Sequence, residues 1–229
     1  MEDIIAMFTN PAYLESLCRV IPEALYETLY MVIVSTILAY VLGVPMGVLL
    51  VITSEGHIMP NPWVERILGT IINIFRSIPF IILLVALIPF TTMLVGTSIG
   101  TTAAIVPLVV SAAPFVARLV ESSLREVSPG VIEAALSMGA SPWQIIYKVL
   151  LPEAKSPLIL GVAITTINII AYTAMAGAVG GGGLGDVAIQ YGYNRYRTDM
   201  MIVTVLILVI IVQIVQWIGT TLARKLSHR

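Results

Sequence analysis

The chain has 229 residues, of which 58% are hydrophobic and only 11% charged, and its mean hydropathy is +0.98. Soluble domains carry about 25% charged residues, so this composition excludes a soluble enzyme and indicates an integral membrane protein with one domain over residues 1–229. A net charge of −1 without a basic face leaves nucleic acid out as a partner. Cys18 is the single cysteine, which permits neither an internal disulfide nor a cysteine-based metal site; it reads as a small buried or interfacial hydrophobe. Glu2 and Asp3 stand where a cleaved signal peptide would carry basic residues.

A helix needs about 20 apolar residues to cross the hydrocarbon core, so the charge-free runs count the spans. Residues 1–21, with Pro11, Glu15 and Arg19, read as a short interfacial segment on the outer side. Thr28 to Ser54 is a run of 27 uncharged residues, one span. Pro22 fits its first turn, with Glu23 and Glu27 at the positive end of the helix dipole. Gly43 and Gly47 form a small-xxx-small pair that admits a second helix at close range.

After the polar turn at 55–62, an apolar run is interrupted at Arg76, and 41 residues from Ser77 to Ala117 carry no charge. That length predicts the rest of one helix, a break within Thr91–Thr102 near Gly96 and Gly100, and another helix. Pro79, Pro89, Pro107 and Pro114 predict kinks. Ser156 to Gly185 (30 uncharged residues) and Met200 to Ala223 (24) give two more spans. The glycine run 180–183 predicts a flexible outer end to the fourth span, and 186–199, with Tyr191, Tyr193 and Tyr196, an aromatic interface loop. The total is five spans. The Lys/Arg asymmetry favours an outside N-terminus and a cytoplasmic C-terminus, which leaves only Arg19, Arg195 and Arg197 outside.

Between Arg118 and Lys155 lies a charged island. Ser128-Pro129, Ser141-Pro142 and Ser156-Pro157 each pair a preferred N-cap with a preferred first helical residue. Ser141 and Gln144 also have capping-box spacing. The prediction over 128–152 is two short helices, from Pro129 and from Pro142, joined at a left-handed Gly139, with Pro152 ending the second. The resulting cytoplasmic knob presents Met138, Ala140 and Trp143. On local physics alone, it reads equally as an ordinary loop packed on its own bundle.

Glu133-Ala134-Ala135, three residues, Gly139, nine residues, then Val149-Leu150-Leu151-Pro152 resembles the EAA loop of ATP-binding-cassette importer permeases, with Val149 in place of that family's Ile. Phe75-Arg76-Ser77-Ile78-Pro79-Phe80, the Gly177–Gly185 segment and Gln190-Tyr191-Gly192-Tyr193 are similar to the methionine-importer branch. The resemblance implies a five-span permease in the bacterial inner membrane. It implies action as a pair of copies with two separate ATPase subunits, which bind the ATP and magnesium, and an outside substrate-binding protein. It implies that Glu133, Ala134, Ala135, Met138, Gly139, Ala140, Trp143, Leu151 and Pro152 couple to the ATPase. By the same resemblance Met175 is expected at the constriction where the two copies meet. Ser77, Pro79, Asn168 and Tyr172 are expected along the path, which carries methionine or a related amino acid. This chain itself needs no cofactor or metal.

Other readings compete at particular residues. Arg76 is either a side chain snorkelling to the cytoplasmic face or a substrate contact. Asn73, Thr165, Thr166, Asn168, Tyr172 and Thr173 either hydrogen-bond between helices or line the path. The 180–185 glycines lack the Lys-Ser/Thr of a phosphate loop. The alternative function is a self-powered carrier or channel; the acidic residues at span ends and in loops argue against it, as do five spans that cannot form two equal inverted repeats. His57 and His228 lie outside the spans and leave no catalytic cluster.

Overall fold

The computed structural model describes residues 11–227, among which there is no strand. Among the described residues, ten α-helices of four residues or more follow one another: α1 Pro11–Ile52, α2 Pro62–Ser77, α3 Phe80–Ala86, α4 Ile88–Val95, α5 Thr101–Arg125, α6 Pro129–Ser137, α7 Pro142–Ile145, α8 Lys155–Gly177, α9 Gly183–Val187 and α10 Thr198–Ser227. Among the described residues, α1, α5, α8 and α10 are long and apolar enough to cross a membrane, and α2 with α3, bent by 102° at their break, pass the same test as a pair, which gives a fifth where the pair is counted as one span. The expected five-span, all-α membrane fold is the observed one.

Helix α1 corrects the expected start of the first span. It begins at Pro11 and runs 42 residues without a break, so Pro22 lies in its interior and Glu23 and Glu27 are far from its first turn. At 1.5 Å per residue α1 is about 63 Å long, roughly twice the hydrocarbon core. One helix therefore serves both as the span and as the segment expected to be separate; residues 1–10 lie outside the described residues.

The broken span stops at Ser77. Ile78 is extended (φ −86°, ψ 123°) and Pro79 caps α3, while Pro89 stands in the first turn of α4. Pro79 and Pro89 thus start helices, where a missing N–H costs nothing. Of the four prolines expected to kink helices, only Pro107 and Pro114 lie inside one, α5. The expected break falls at Gly96–Gly100, both left-handed, with φ of 85° and 99°.

The chain divides into two compact units, and each long helix contributes residues to both. One unit comprises Ile37–Ile78, Val110–Thr165 and Gln216–Arg229. There α1 packs on α5 through the glycine pair: a Cβ on Gly43 would lie 2.6 Å from Val116 Cβ, and one on Gly47 2.5 Å from the Ala117 carbonyl. Lipid tails are as apolar as leucine, so contact of this closeness, rather than flight from water, holds the helices. Leu50, Ile72 and Ala117 are buried beside it. Arg118 ties α2 to α5, donating to Asn73 Oδ1 (2.8 Å), the Gly69 carbonyl (3.3 Å) and Glu121 (2.5 Å).

The other unit comprises Met1–Thr36, Pro79–Val109 and Thr166–Val215. Leu17 and Ala24 of α1, Leu184 and Val187 of α9 and Met200 of α10 form its buried cluster. Arg197 joins the ends of α1 and α10, donating to Ser16 Oγ at 2.8 Å and to the buried Asp199 carboxylate at 2.5 Å.

Candidate functional site

The segment Glu133–Pro152 forms the expected knob. Helix α6 starts at Pro129, but the Ser128 side chain makes no cap hydrogen bond. At its end Gly139 has φ +78°. The Gly139 N–H donates to the Leu136 carbonyl (2.9 Å) and the Ala140 N–H to the Ala135 carbonyl (3.1 Å), the paired bonds that close a helix on a left-handed residue. Two residues later the second helix begins under a full capping box: the Gln144 N–H donates to Ser141 Oγ and the Ser141 N–H to Gln144 Oε1. Each bond removes an orphan donor, so this tight reversal is specified locally. Of the three Ser-Pro pairs only Ser141 caps. Ser156 Oγ donates instead to the Ala223 carbonyl of α10, at 2.9 Å, and α8 already begins at Lys155.

Pro152 does not end the second helix, as expected, but modifies it. The chain continues from α7 through a π-turn at Ile146–Leu150 into a last turn Leu151–Glu153. Pro152 has no N–H for the Lys148 carbonyl, and the Leu151 N–H reaches back five residues to Ile146. Ile145, Ile146 and Leu150 are buried and root this helix. Met138 (88% exposed) and Trp143 (79%) stand out on either side of Gly139, as does Tyr147. Glu133, Ala134 and Pro152 are exposed, and Ala135, Ala140 and Leu151 half-buried.

Behind the knob lies a cavity of about 450 Å³ lined by Glu133 together with Glu55, His57, Arg125, Leu124 and Ile132. Burial, and then the Arg125 charge, lower the His57 pKa from its ordinary value. Glu121 bridges Arg118 and Arg125, and Arg125 lies 3.8 Å from Glu65. The sequence reading passed over this network, although Arg118, Glu121 and Arg125 have the three- and four-residue spacings of helical ion pairs. Tyr147 carried no such signal.

In the other unit, Asn168, Tyr172 and Met175 lie on one face of α8, spaced four and three residues apart. Tyr172 stacks on Phe80, immediately after Pro79, with ring centroids 4.5 Å apart and planes at 8°. Met175 is 46% exposed and Asn168 half-buried. Ser77 lies in the first unit, and its hydroxyl donates to the Asn73 carbonyl of its own helix.

The glycine run after α8 corrects the expected flexible end. A Cβ on Gly177 would fall 2.3 Å from the Asp186 nitrogen, and one on Gly185 2.5 Å from Ala174 Cα. The Gly181 N–H donates to the Ala176 carbonyl (2.9 Å), the Gly183 N–H to Glu27 Oε2 (2.7 Å) and the Leu184 N–H to Thr28 Oγ1 (2.8 Å). This is a close-packed reversal. The expected loop at 186–199 is largely helical as well, since α9 continues as a π-turn over Ala188–Tyr193. Burial raises the Asp186 pKa, partly offset by a hydrogen bond with Gln190. Among the described residues no group of three His, Cys, Asp or Glu could hold a metal ion.

Residues 39–228 match the family described as binding-protein-dependent transport system inner membrane component. The chain belongs to this family. It is a permease component of an ATP-driven importer, built from membrane-spanning helices. The permease is 54% identical over 206 residues to a probable D-methionine transport system permease protein, MetI, of Vibrio cholerae, covering 90% of this chain and 92% of that one. It is 48% identical over 207 residues to the methionine import system permease protein MetP of Bacillus subtilis, covering 90% and 93%. Among solved structures, a chain of the MetNI methionine ABC transporter in inward-facing conformations is 49% identical. The match covers 93% of this chain and 99% of that one, with a TM-score of 0.92.

Proposed function

We propose that the permease forms the translocation path for methionine or a closely related amino acid, as a pair of copies driven by two separate ATPase subunits. The knob carries this reading. Met138 and Trp143 project from a turn fixed at both sides by its own backbone bonds, and this EAA segment is rooted in buried Ile145, Ile146 and Leu150. A rigid, rooted projection passes on a displacement that a flexible loop would absorb. Glu133 through Pro152 is the docking and coupling element; ATP and magnesium are bound and ATP is hydrolysed on the partner. The names borne by the relatives support methionine as substrate.

In this reading the knob and C-terminus are cytoplasmic, and the α1 start and the glycine reversal face the outside, where a substrate-binding protein delivers its load. Met175 closes the path, with Asn168, Tyr172 and Pro79 beside it. Ser77 is the weakest of the expected path residues, because its hydroxyl is engaged within α2.

The deciding experiment is uptake of radiolabelled methionine into proteoliposomes, with a panel of competing amino acids. Uptake is expected only with the ATPase and ATP present. Uptake without them would replace this reading by a self-powered carrier. Exposed Cys18 tests the orientation: a membrane-impermeant maleimide added outside intact spheroplasts should label it, and labelling only after lysis would reverse the topology.

A further inference from the structure

The C-terminal half of α1 and the start of α7 enclose a groove of about 410 Å³ within one unit. Val44, Val48 and Ile52 of α1 form one wall, Trp143 and Ile146 the other, with Met59 at the side. Apart from the indole N–H of Trp143, its lining side chains are apolar. We propose that this groove holds one acyl chain of a membrane phospholipid.

Three observations select that occupant. First, the groove continues an exposed apolar stripe at four-residue spacing on α1: Ile37 (57% exposed), Val41 (61%), Pro45 and Leu49. In an inner-membrane component such a stripe faces lipid. Second, Val44 to Ile52 lies within the uncharged run Thr28–Ser54, and its eight steps rise about 12 Å, more than a third of a hydrocarbon core of about 30 Å. The far end of the groove therefore lies at acyl depth, and a soluble subunit reaches only its mouth at Trp143. Third, a lining that is apolar but for one indole N–H at its mouth offers little to a headgroup, whereas a flexible alkyl chain recovers the dispersion contacts that an irregular gap forfeits.

The occupant acts as a filler between the first span and the helix that roots the knob. The position of the knob then depends on the bilayer. That consequence rests on the docking role proposed above; occupancy of the groove does not.

The test is photolabelling of the permease–ATPase complex in vesicles containing a small fraction of phosphatidylcholine with a diazirine on one acyl chain, read by peptide mass spectrometry. Label is expected on 44–52 and also on Trp143 or Ile146. Val44→Phe, which fills the groove, should reduce label on 142–146 several-fold and leave label on Ile37–Leu42 unchanged. Leu49→Phe is the second filling variant should Val44→Phe not fold, as judged by its elution profile.

Absence of label on 142–146, or label there that both filling variants leave unchanged, overturns the proposal. Label on 142–146 in the permease alone that disappears entirely when the ATPase binds assigns the groove to that protein instead. In each of these outcomes, ATP-dependent uptake remains a separate measurement of the permease reading.

Discussion

Two glycine-bearing reversals serve opposite purposes in this permease. At Gly139 nothing lies within 4 Å of where a Cβ would stand, and the requirement is a backbone with φ +78°. At Gly177, φ is ordinary and the requirement is space, because the backbone of Gly185 and Asp186 lies within 3 Å of a Cβ there. The first reversal keeps a turn stiff while leaving its outer surface bare. The second closes the end of a span against its own chain. An exposed turn and a close-packed seam thus differ in what surrounds the glycine, and the same residue type serves both.

The largest expected effect comes from filling the seam. In Gly177→Ala the obstructing atoms are backbone and cannot rotate away, so about 3 kcal/mol of destabilisation is expected. Thermal melting of the purified permease measures it; a melting temperature within a degree of the parent would mean the seam is looser than these distances. On the knob the expectation is reversed. Met138→Glu should leave melting nearly unchanged, within about 0.5 kcal/mol, because the side chain is exposed. It should weaken ATPase affinity by about 2 kcal/mol, roughly 30-fold, if Met138 is a docking anchor. Undiminished ATPase binding in a titration would remove Met138 from the interface.

Gly139→Ala sharpens the comparison further. Without a steric neighbour, its cost is the left-handed backbone alone, about 1 kcal/mol. A loss as large as that of Gly177→Ala would erase the distinction between the two reversals.

The sequence revealed most where a residue's effect is local. Charge-free runs marked the spans, and the Ser141–Gln144 box and Gly139 marked the knob, since capping is decided within four residues of chain. It misled where the deciding partner is distant. Pro22 looks like a helix start, but nothing in its neighbourhood reveals that α1 already runs from Pro11 and packs on α9 and α10 through Leu17 and Ala24. Ser156 looks like a cap, yet its hydroxyl is taken by Ala223, sixty-seven residues on. The run Gly180–Gly183 suggests flexibility because a glycine's freedom is a property of the residue, whereas its confinement by Glu27 and Thr28 comes from another helix. Tyr172 stacking on Phe80 is of the same kind.

The smallest expected effect separates the two regions by charge. The cavity behind the knob disfavours a positive charge on His57, and the seam disfavours a negative one on Asp186. For His57 the folded state holds the pKa below its unfolded value of about 6.5, through burial first and the Arg125 charge second. As pH falls below about 6.5 the unfolded chain takes up a proton that the folded chain resists, so the unfolded state binds more protons and stability declines. Above that pH the contribution is flat. His57→Gln removes the titration, so melting of this variant should fall less than that of the parent between about pH 7 and about pH 5.5, while other groups titrate alike in both. His57 is only half-buried, which keeps the difference small, and parallel acid slopes would show that the cavity admits water freely to the imidazole.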